Sequence, residues 1–145
     1  MVKRIAVGEP ADLSASDALE AMAEGALSAQ ALTEACLARI DTADPQVRAW
    51  TQVDHRRAVF EARAQDRRRA DGLPLPALHG VPVGLKDIID VKGLATENGT
   101  PLDAGNRPSE DATIVRRLRD AGAVIVGKTV TRSEERRVGK ECFLL

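Results

Sequence analysis

The residue best placed to do chemistry is Lys86, the one lysine in the apolar, strand-like run 81–91. In an extended chain successive side chains alternate between two faces. Lys86 is therefore expected to share a face with Pro82 and Gly84, while Asp87 points to the opposite face. The small glycine and the proline predict space beside the ammonium group, into which another backbone or a substrate could fit. The neighbouring carboxylate is not expected to neutralise the lysine.

A lysine with an ordinary pKa of about 10.4 is neutral at pH 7 in only about one molecule in 2,500. To accept a proton, such a side chain needs its pKa lowered by about 3 units, which burial away from carboxylates can supply. Two interpretations of this position remain open. It is either a proton acceptor beside a reaction centre or a surface lysine at the end of a strand, and the spacing alone favours the surface lysine.

Four motifs follow one another between residues 80 and 129. They are GVPVGLKDIID at 80–90, GLATENGT at 93–100, DAT at 111–113 and AGAVIVGKT at 121–129. In this order they resemble the amidase signature family. The resemblance implies a serine hydrolase of carboxamides without a cofactor, which uses a serine nucleophile, a second serine in a cis peptide and a neutral lysine as base. Lys86 matches that catalytic lysine.

The chain also departs from the family pattern. Both catalytic serines of the family lie in a Gly-Ser-rich segment further along, and the 145 residues contain no such stretch. In the loop 96–100, Glu97 and Asn98 differ from the commoner family form, and no substrate-binding residue is assigned. The resemblance fails at Val130. The expected organisation is the N-terminal part of an amidase-signature domain at 1–131, followed by a non-native tail at 132–145.

The periodicity of apolar residues predicts helices and strands in alternation. Helices are predicted at 12–24, 28–45, 54–70 and 112–121, with Pro45 ending the second and Asp111 capping the fourth. Strands are predicted at 46–53, 81–91 and 123–126. The expected fold is α/β, with N-terminal helices followed by part of a mixed sheet with flanking helices, amidase-signature-like and incomplete.

Composition excludes several classes of function. The net charge is −1, so that no long-range field attracts nucleic acid or an anionic membrane, and no apolar run approaches membrane-spanning length. Cys36 and Cys142 lack the spacing of metal ligands, so no metal is expected. The protein is expected to be cytoplasmic, with a small-molecule amide as substrate and a homodimer as a possible state of the full-length enzyme.

Other polar groups are interpreted as structural. Acidic residues interleave with the arginines of 56–69, which favours a solvated helix face over a nucleic-acid site. His55 has no partner in sequence and is predicted to lie at the surface, and His79 is predicted to be a loop histidine. Gly127 to Thr129 follow a strand without an upstream glycine frame, which excludes a phosphate-binding loop.

Three functions remain open. The first is an amidase acting on the C–N bonds of linear amides, of which this chain carries only the catalytic lysine and is expected to be inactive by itself. The second is a protein similar to the ammonia-releasing subunit of an amidotransferase. The third is a non-catalytic interaction module that keeps the lysine for structural reasons.

Overall fold

The structure, a computed structural model, describes residues 9–131. Its helices are α1 (Ala15–Glu24), α2 (Ala29–Val47), α3 (His55–Ala70) and α4 (Thr113–Asp120). Its strands are β1 (Trp50–Val53), β2 (Pro82–Lys86) and β3 (Val124–Thr129), and short 3₁₀ turns occupy Pro10–Asp12 and Pro101–Asp103. The predicted α/β class is confirmed. The predicted tail at 132–145 lies outside the described residues.

The three strands form one mixed sheet in the order β1-β3-β2. The central strand is β3, which comes last in the described sequence. It is parallel to β2 and antiparallel to β1. β2 is shorter than predicted, because the chain turns away after Lys86 instead of continuing to Val91. β3 is longer than predicted and continues through Lys128 to Thr129.

Two apolar clusters cover the sheet. One contains Val124 and Val126 of β3 together with buried side chains of α1, α2 and α3. The other contains Ile125 of β3, Leu85 of β2 and Val115 of α4, with Val91 and Leu94 from the loop that follows β2. The central strand is therefore buried on both sides, as its continuous apolar sequence predicts.

Polar side chains fix the starts of the N-terminal helices. The hydroxyl of Ser14 accepts a hydrogen bond from the Asp17 N–H at 3.1 Å, and Ser28 accepts one from Ala31 at 3.0 Å. The second helix begins at its predicted position, whereas the first begins three residues later than predicted, because Pro10–Asp12 form a separate 3₁₀ turn. The carboxylate of Asp66 also accepts the N–H groups at the start of α2, which ties that helix to α3.

The predicted end of α2 at Pro45 is wrong. The helix includes Pro45 and ends at Val47, followed by Arg48 with a positive φ of 53°. A proline in the last turn removes one helical N–H donor, and here the following residues find other partners. The Asp44 carboxylate accepts hydrogen bonds from the Ala49 and Trp50 N–H groups at 2.7 and 3.2 Å, which directs the chain into β1.

Asp111 does not cap α4 as predicted. Ala112 is the N-cap residue and has no side chain that could bond the helix. The Asp111 carboxylate instead accepts the Lys92 N–H at 2.7 Å and the Arg119 Nε–H at 3.0 Å. It therefore joins the loop after β2 to the far end of α4.

None of the helices within residues 9–131 combines the length and the apolarity needed to cross a bilayer.

Candidate active site

Lys86 is the last residue of β2, where the parallel pair β2–β3 reaches its carboxyl end. In α/β sheets ligands bind outside the carboxyl ends of parallel strands. The backbone here is fixed by Thr129, whose carbonyl accepts the Asp87 N–H at 2.9 Å and whose hydroxyl donates to the Leu85 carbonyl at 3.4 Å. The Lys86 side chain is partly exposed, and no ion pair within residues 9–131 involves it.

A row of three side chains crosses the sheet at this level. Thr129 of β3 pairs with Lys86 of β2 on one side and with Trp50 of β1 on the other. Residues that pair directly across neighbouring strands place their side chains on the same face. The face that carries Lys86 therefore also carries Thr129 and Trp50, the only tryptophan in the chain.

The indole of Trp50 reaches over β3 to the glycine that precedes Lys86 by two residues. A Cβ atom on Gly84 would lie 2.6 Å from Trp50 Cη2 and 3.4 Å from Thr129 Cγ2. The prediction that Gly84 leaves space for another backbone or a substrate is therefore wrong, because the indole takes that space. Gly84 is needed for this contact instead.

A buried ion pair lies on the opposite face. Asp87 is 1% exposed and Lys128 is completely buried. Lys128 Nζ lies 3.4 Å from Asp87 Oδ1, and it donates to the Ala95 carbonyl at 3.1 Å and to Thr96 Oγ1 at 3.0 Å. The expectation that Asp87 points away from Lys86 is confirmed, and its partner is a lysine for which the sequence pattern predicted no role.

A β-bulge brings Lys128 to that face. Strict alternation along β3 would place Lys128 with Val124 and Val126, on the face that packs against α1, α2 and α3. The register with β2 skips one residue, because Val83 pairs with Ile125 and Gly84 pairs with Gly127. The extra residue reverses the alternation beyond it. Lys128 then pairs with Leu85, a member of the other apolar cluster.

The ion pair also holds the loop after β2. Ala95 exchanges two hydrogen bonds with the Gln52 amide, at 3.0 and 3.2 Å, and its carbonyl is shared with Lys128. The Glu97 N–H donates to Asp87 Oδ1 at 3.4 Å. Loop residues 95–97 are therefore attached to the sheet and its carboxyl edge through Gln52, Lys128 and Asp87.

Glu97 and Asn98, the residues that depart from the family pattern, make contacts inside their own loop. Glu97 Oε1 accepts the Gly105 N–H at 2.9 Å, and the Asn98 amide donates to Asp103 Oδ2 at 2.9 Å. Asn98 also adopts a positive φ of 53°, which asparagine tolerates better than most residues. Their side chains close a compact loop over residues 97–105.

His55 lies at the surface and His79 lies in a turn, as predicted, but their surroundings add two features that the sequence did not indicate. His55 has a partner, because its Nε2 lies 2.9 Å from Asp41 Oδ1 at the surface. His79 is 2% exposed, and neither ring nitrogen has a partner within residues 9–131. Burial lowers the pKa of His79, an effect that Asp66 opposes and that Arg69 and Arg68 reinforce. Neither histidine belongs to a group of potential metal ligands in the described part of the chain.

Comparison with known proteins agrees with this architecture. A family model described as Amidase matches residues 31–134. The chain is 49% identical over 117 residues to a glutamyl-tRNA(Gln) amidotransferase subunit of Salinispora arenicola, and 46% identical over 116 residues to the protein of the same name in Chloroflexus aggregans. These matches cover 81% and 80% of this chain, and 24% of each relative.

A solved structure shares both fold and sequence. The native peptide amidase of Stenotrophomonas maltophilia matches with a TM-score of 0.76 and 43% identity, over 82% of this chain and 25% of that one. The chain thus spans about a quarter of the length of the relatives that it matches. The family match, the sequence identity and the shared fold together show that the chain belongs to the amidase signature family.

Proposed function

We propose that residues 1–131 form the lysine-bearing part of an amidase that cleaves the C–N bond of linear carboxamides, and that Lys86 is its catalytic base. The observation that carries this proposal is the arrangement at the end of β2. Lys86 lies at the carboxyl end of a parallel strand, while the adjacent Asp87 is turned to the opposite face and paired with Lys128. A lysine without a carboxylate partner can lose its proton more readily than a salt-bridged one.

In the mechanism that the family resemblance implies, the neutral Nζ of Lys86 accepts a proton from a bridging serine. That serine takes the proton of the nucleophilic serine, whose oxygen attacks the amide carbonyl carbon. The C–N bond then breaks, and ammonia or an amine leaves with a proton from the relay. Water hydrolyses the acyl-enzyme in the second half of the reaction.

The nucleophile in this proposal comes from outside the described residues. Ser14 and Ser28 cap helices, Ser16 lies within α1, and Ser109 is exposed in the loop before α4. None of these four serines lies in a glycine-rich turn that could build an oxyanion site. We therefore expect the 145-residue chain to lack amidase activity by itself, and we regard residues 132–145 as a non-native tail.

A second candidate function is supported by the names of the relatives. Eight relatives that are 44–49% identical to this chain are named as the same subunit of glutamyl-tRNA(Gln) amidotransferase. In such a role the same lysine would serve to release ammonia for a partner. Both functions use a small-molecule amide as substrate, and we propose a cytoplasmic location for either of them.

The test is a chimera in which residues 9–131 replace the matching segment of the Stenotrophomonas maltophilia peptide amidase. This design supplies the rest of a complete enzyme. We expect the chimera to hydrolyse a peptide amide, and we expect Lys86→Ala and Lys86→Arg to lower kcat/KM by at least about 10³-fold. Arginine keeps the charge but cannot give up its proton.

Lys92→Ala is the matched control, because Lys92 is an exposed lysine in the same region. This variant should stay within about threefold of the unsubstituted chimera, as expected for a surface substitution. Near-normal activity in Lys86→Arg would contradict the base role. An inactive but folded chimera would favour the interaction module. Ammonia release from glutamine, measured beside peptide amide hydrolysis, separates the amidotransferase-like function from the amidase.

A further inference from the structure

We propose that Lys128 is a positioning residue for the reaction, because it neutralises Asp87 and so lets Lys86 lose its proton. This inference rests on the proposed base role of Lys86 and assigns a task to a second, fully buried lysine. The two lysines lie on neighbouring strands but on opposite faces of the sheet. They are one register position apart, since Lys128 pairs with Leu85 and Thr129 pairs with Lys86.

The covalent link between Lys86 and Asp87 makes the carboxylate a permanent electrostatic neighbour of the base. Opposite faces separate the two side chains, but they belong to adjacent residues, and a unit charge in partly buried surroundings acts beyond direct contact. An uncompensated Asp87 would favour the protonated form of Lys86. Asp87 is 1% exposed, so that water screens its charge poorly.

Lys128 is placed to cancel that charge. Its Nζ is within 3.4 Å of Asp87 Oδ1. Its other contacts are uncharged oxygens, which are the Ala95 carbonyl at 3.1 Å, Thr96 Oγ1 at 3.0 Å and the Asp87 carbonyl at 3.5 Å. An isolated buried ammonium group would be costly. The sequence therefore keeps two opposite charges in an apolar core directly behind the base.

Other charged groups around Lys86 are less well placed to take over this task. Asp90 and Lys92, in the segment after β2, are both exposed. The Glu97 carboxylate is bonded to the Gly105 N–H within its own loop. From β1 the neighbouring side chain is Trp50, and the side chains that α2 buries are uncharged. Among residues 9–131, Asp87 and Lys128 are the only fully buried carboxylate and ammonium groups.

The test measures how readily Lys86 loses its proton in the 145-residue chain. Trace acetic anhydride labels neutral amines, so the extent of labelling at Lys86 across about pH 7–12, mapped by mass spectrometry, gives the pH at which half of Lys86 is deprotonated. We expect Lys128→Met to raise this midpoint by about 1 pH unit and Asp87→Asn to lower it by a similar amount. The double variant Asp87→Asn/Lys128→Met should return it close to the starting value.

If the ion pair served only to stabilise the fold, the two single variants would not shift the Lys86 midpoint in opposite directions. Lys92→Met is the matched control, because it removes the same charge from an exposed site, and it should leave the midpoint unchanged. Near-UV circular dichroism and Trp50 fluorescence report whether each variant keeps its fold. If Lys128→Met does not fold in the isolated chain, the labelling is repeated in the peptide amidase chimera.

Shifts of the same sign in both single variants, or no shift in either, would overturn the proposal. Failure of this proposal can be distinguished from failure of the proposed function. Labelling reports the charge coupling even if Lys86 is not a base, whereas full activity of Lys86→Arg would remove the base role even if the coupling exists. In the active chimera, Lys128→Met should also move the acidic limb of the kcat/KM profile to higher pH by the same amount.

Discussion

Replacing Asp87 by alanine should destabilise the fold far more than replacing Lys86, its neighbour in sequence. Asp87→Ala leaves the ammonium group of Lys128 completely buried without a counter-charge. The substitution also removes the acceptor for the Glu97 N–H. Lys86→Ala removes a partly exposed side chain that belongs to no ion pair within residues 9–131.

The magnitude follows from the contacts that remain. Removing one partner of a buried ion pair costs about 3–5 kcal/mol. Lys128 would keep its bonds to Ala95 and Thr96, which places the expected loss of unfolding free energy near the lower end, about 3 kcal/mol. Lys86→Ala should cost no more than about 0.5 kcal/mol, as is usual for surface sites. The double variant Asp87→Ala/Lys128→Met should recover more than half of the loss, because it leaves no unpaired charge.

The assay is urea unfolding of the 145-residue chain, followed by far-UV circular dichroism and by Trp50 fluorescence. Coincident transitions justify a two-state free energy. A shift of the midpoint without a change in slope shows a change in stability alone. A loss below about 1 kcal/mol for Asp87→Ala, or equal losses for Asp87→Ala and Lys86→Ala, would refute the reasoning.

Three further predictions concern packing, pH and activity. A Cβ atom on Gly127 would clash with the Gln52 carbonyl and lie 2.9 Å from Val53 Cα, so Gly127→Ala should cost about 3 kcal/mol in urea unfolding. Gly105→Ala is its control, because the only obstacle there is a positive φ of 76°, and it should cost about 1 kcal/mol. Burial lowers the pKa of His79, so the unfolded chain binds more protons than the folded one and stability should fall as the pH drops below about 6.5. The fall should disappear in His79→Gln, and a pH-independent difference between the two proteins would contradict this assignment. Finally, the 145-residue chain should release no more amine from aryl amides than a Lys86→Ala control. Turnover that depends on Lys86 would contradict the proposal that the nucleophile comes from outside this part of the enzyme.

The sequence predicts much of this fold because local signals agree with the tertiary structure. The second helix starts at Ser28 as its apolar periodicity predicts, and the apolar run before Gly127 marks the buried central strand. The opposite orientation of Lys86 and Asp87 follows from strand alternation alone. These features are determined by residues that are close in the sequence, so they can be predicted from a single sequence.

The missed features depend on contacts between distant segments. Lys128 is buried because a bulge in β3 reverses its face, and no alternation rule applied to 123–129 predicts the bulge. The Trp50 ring covers Gly84 because antiparallel pairing brings β1 to the level of Lys86. The sequence offered one sign of this bulge, which is the glycine followed by a lysine at 127–128, at the end of an apolar strand.

Asp111 and Pro45 show a second kind of error. Aspartate is a strong helix cap and proline commonly ends a helix, so the local sequence favours both predictions. In each case hydrogen bonds to other residues override the local preference. Arg119 and the Lys92 N–H take the Asp111 carboxylate. The Asp44 carboxylate supports the turn that lets α2 continue past Pro45.

The most direct test of the central claim is chemical rescue at position 86 in the chimera with the peptide amidase. Lys86→Cys should lose activity, and treatment with 2-bromoethylamine should restore it, because the reaction rebuilds a primary amine at nearly the same length. Alkylation with a trimethylammonium analogue, which gives a permanent cation, should not restore activity, since a base must be able to lose its proton. The same two treatments of the unsubstituted chimera control for reaction at Cys36. Rescue by the amine alone is the predicted result, and equal rescue by the permanent cation would contradict the role of Lys86 as the base.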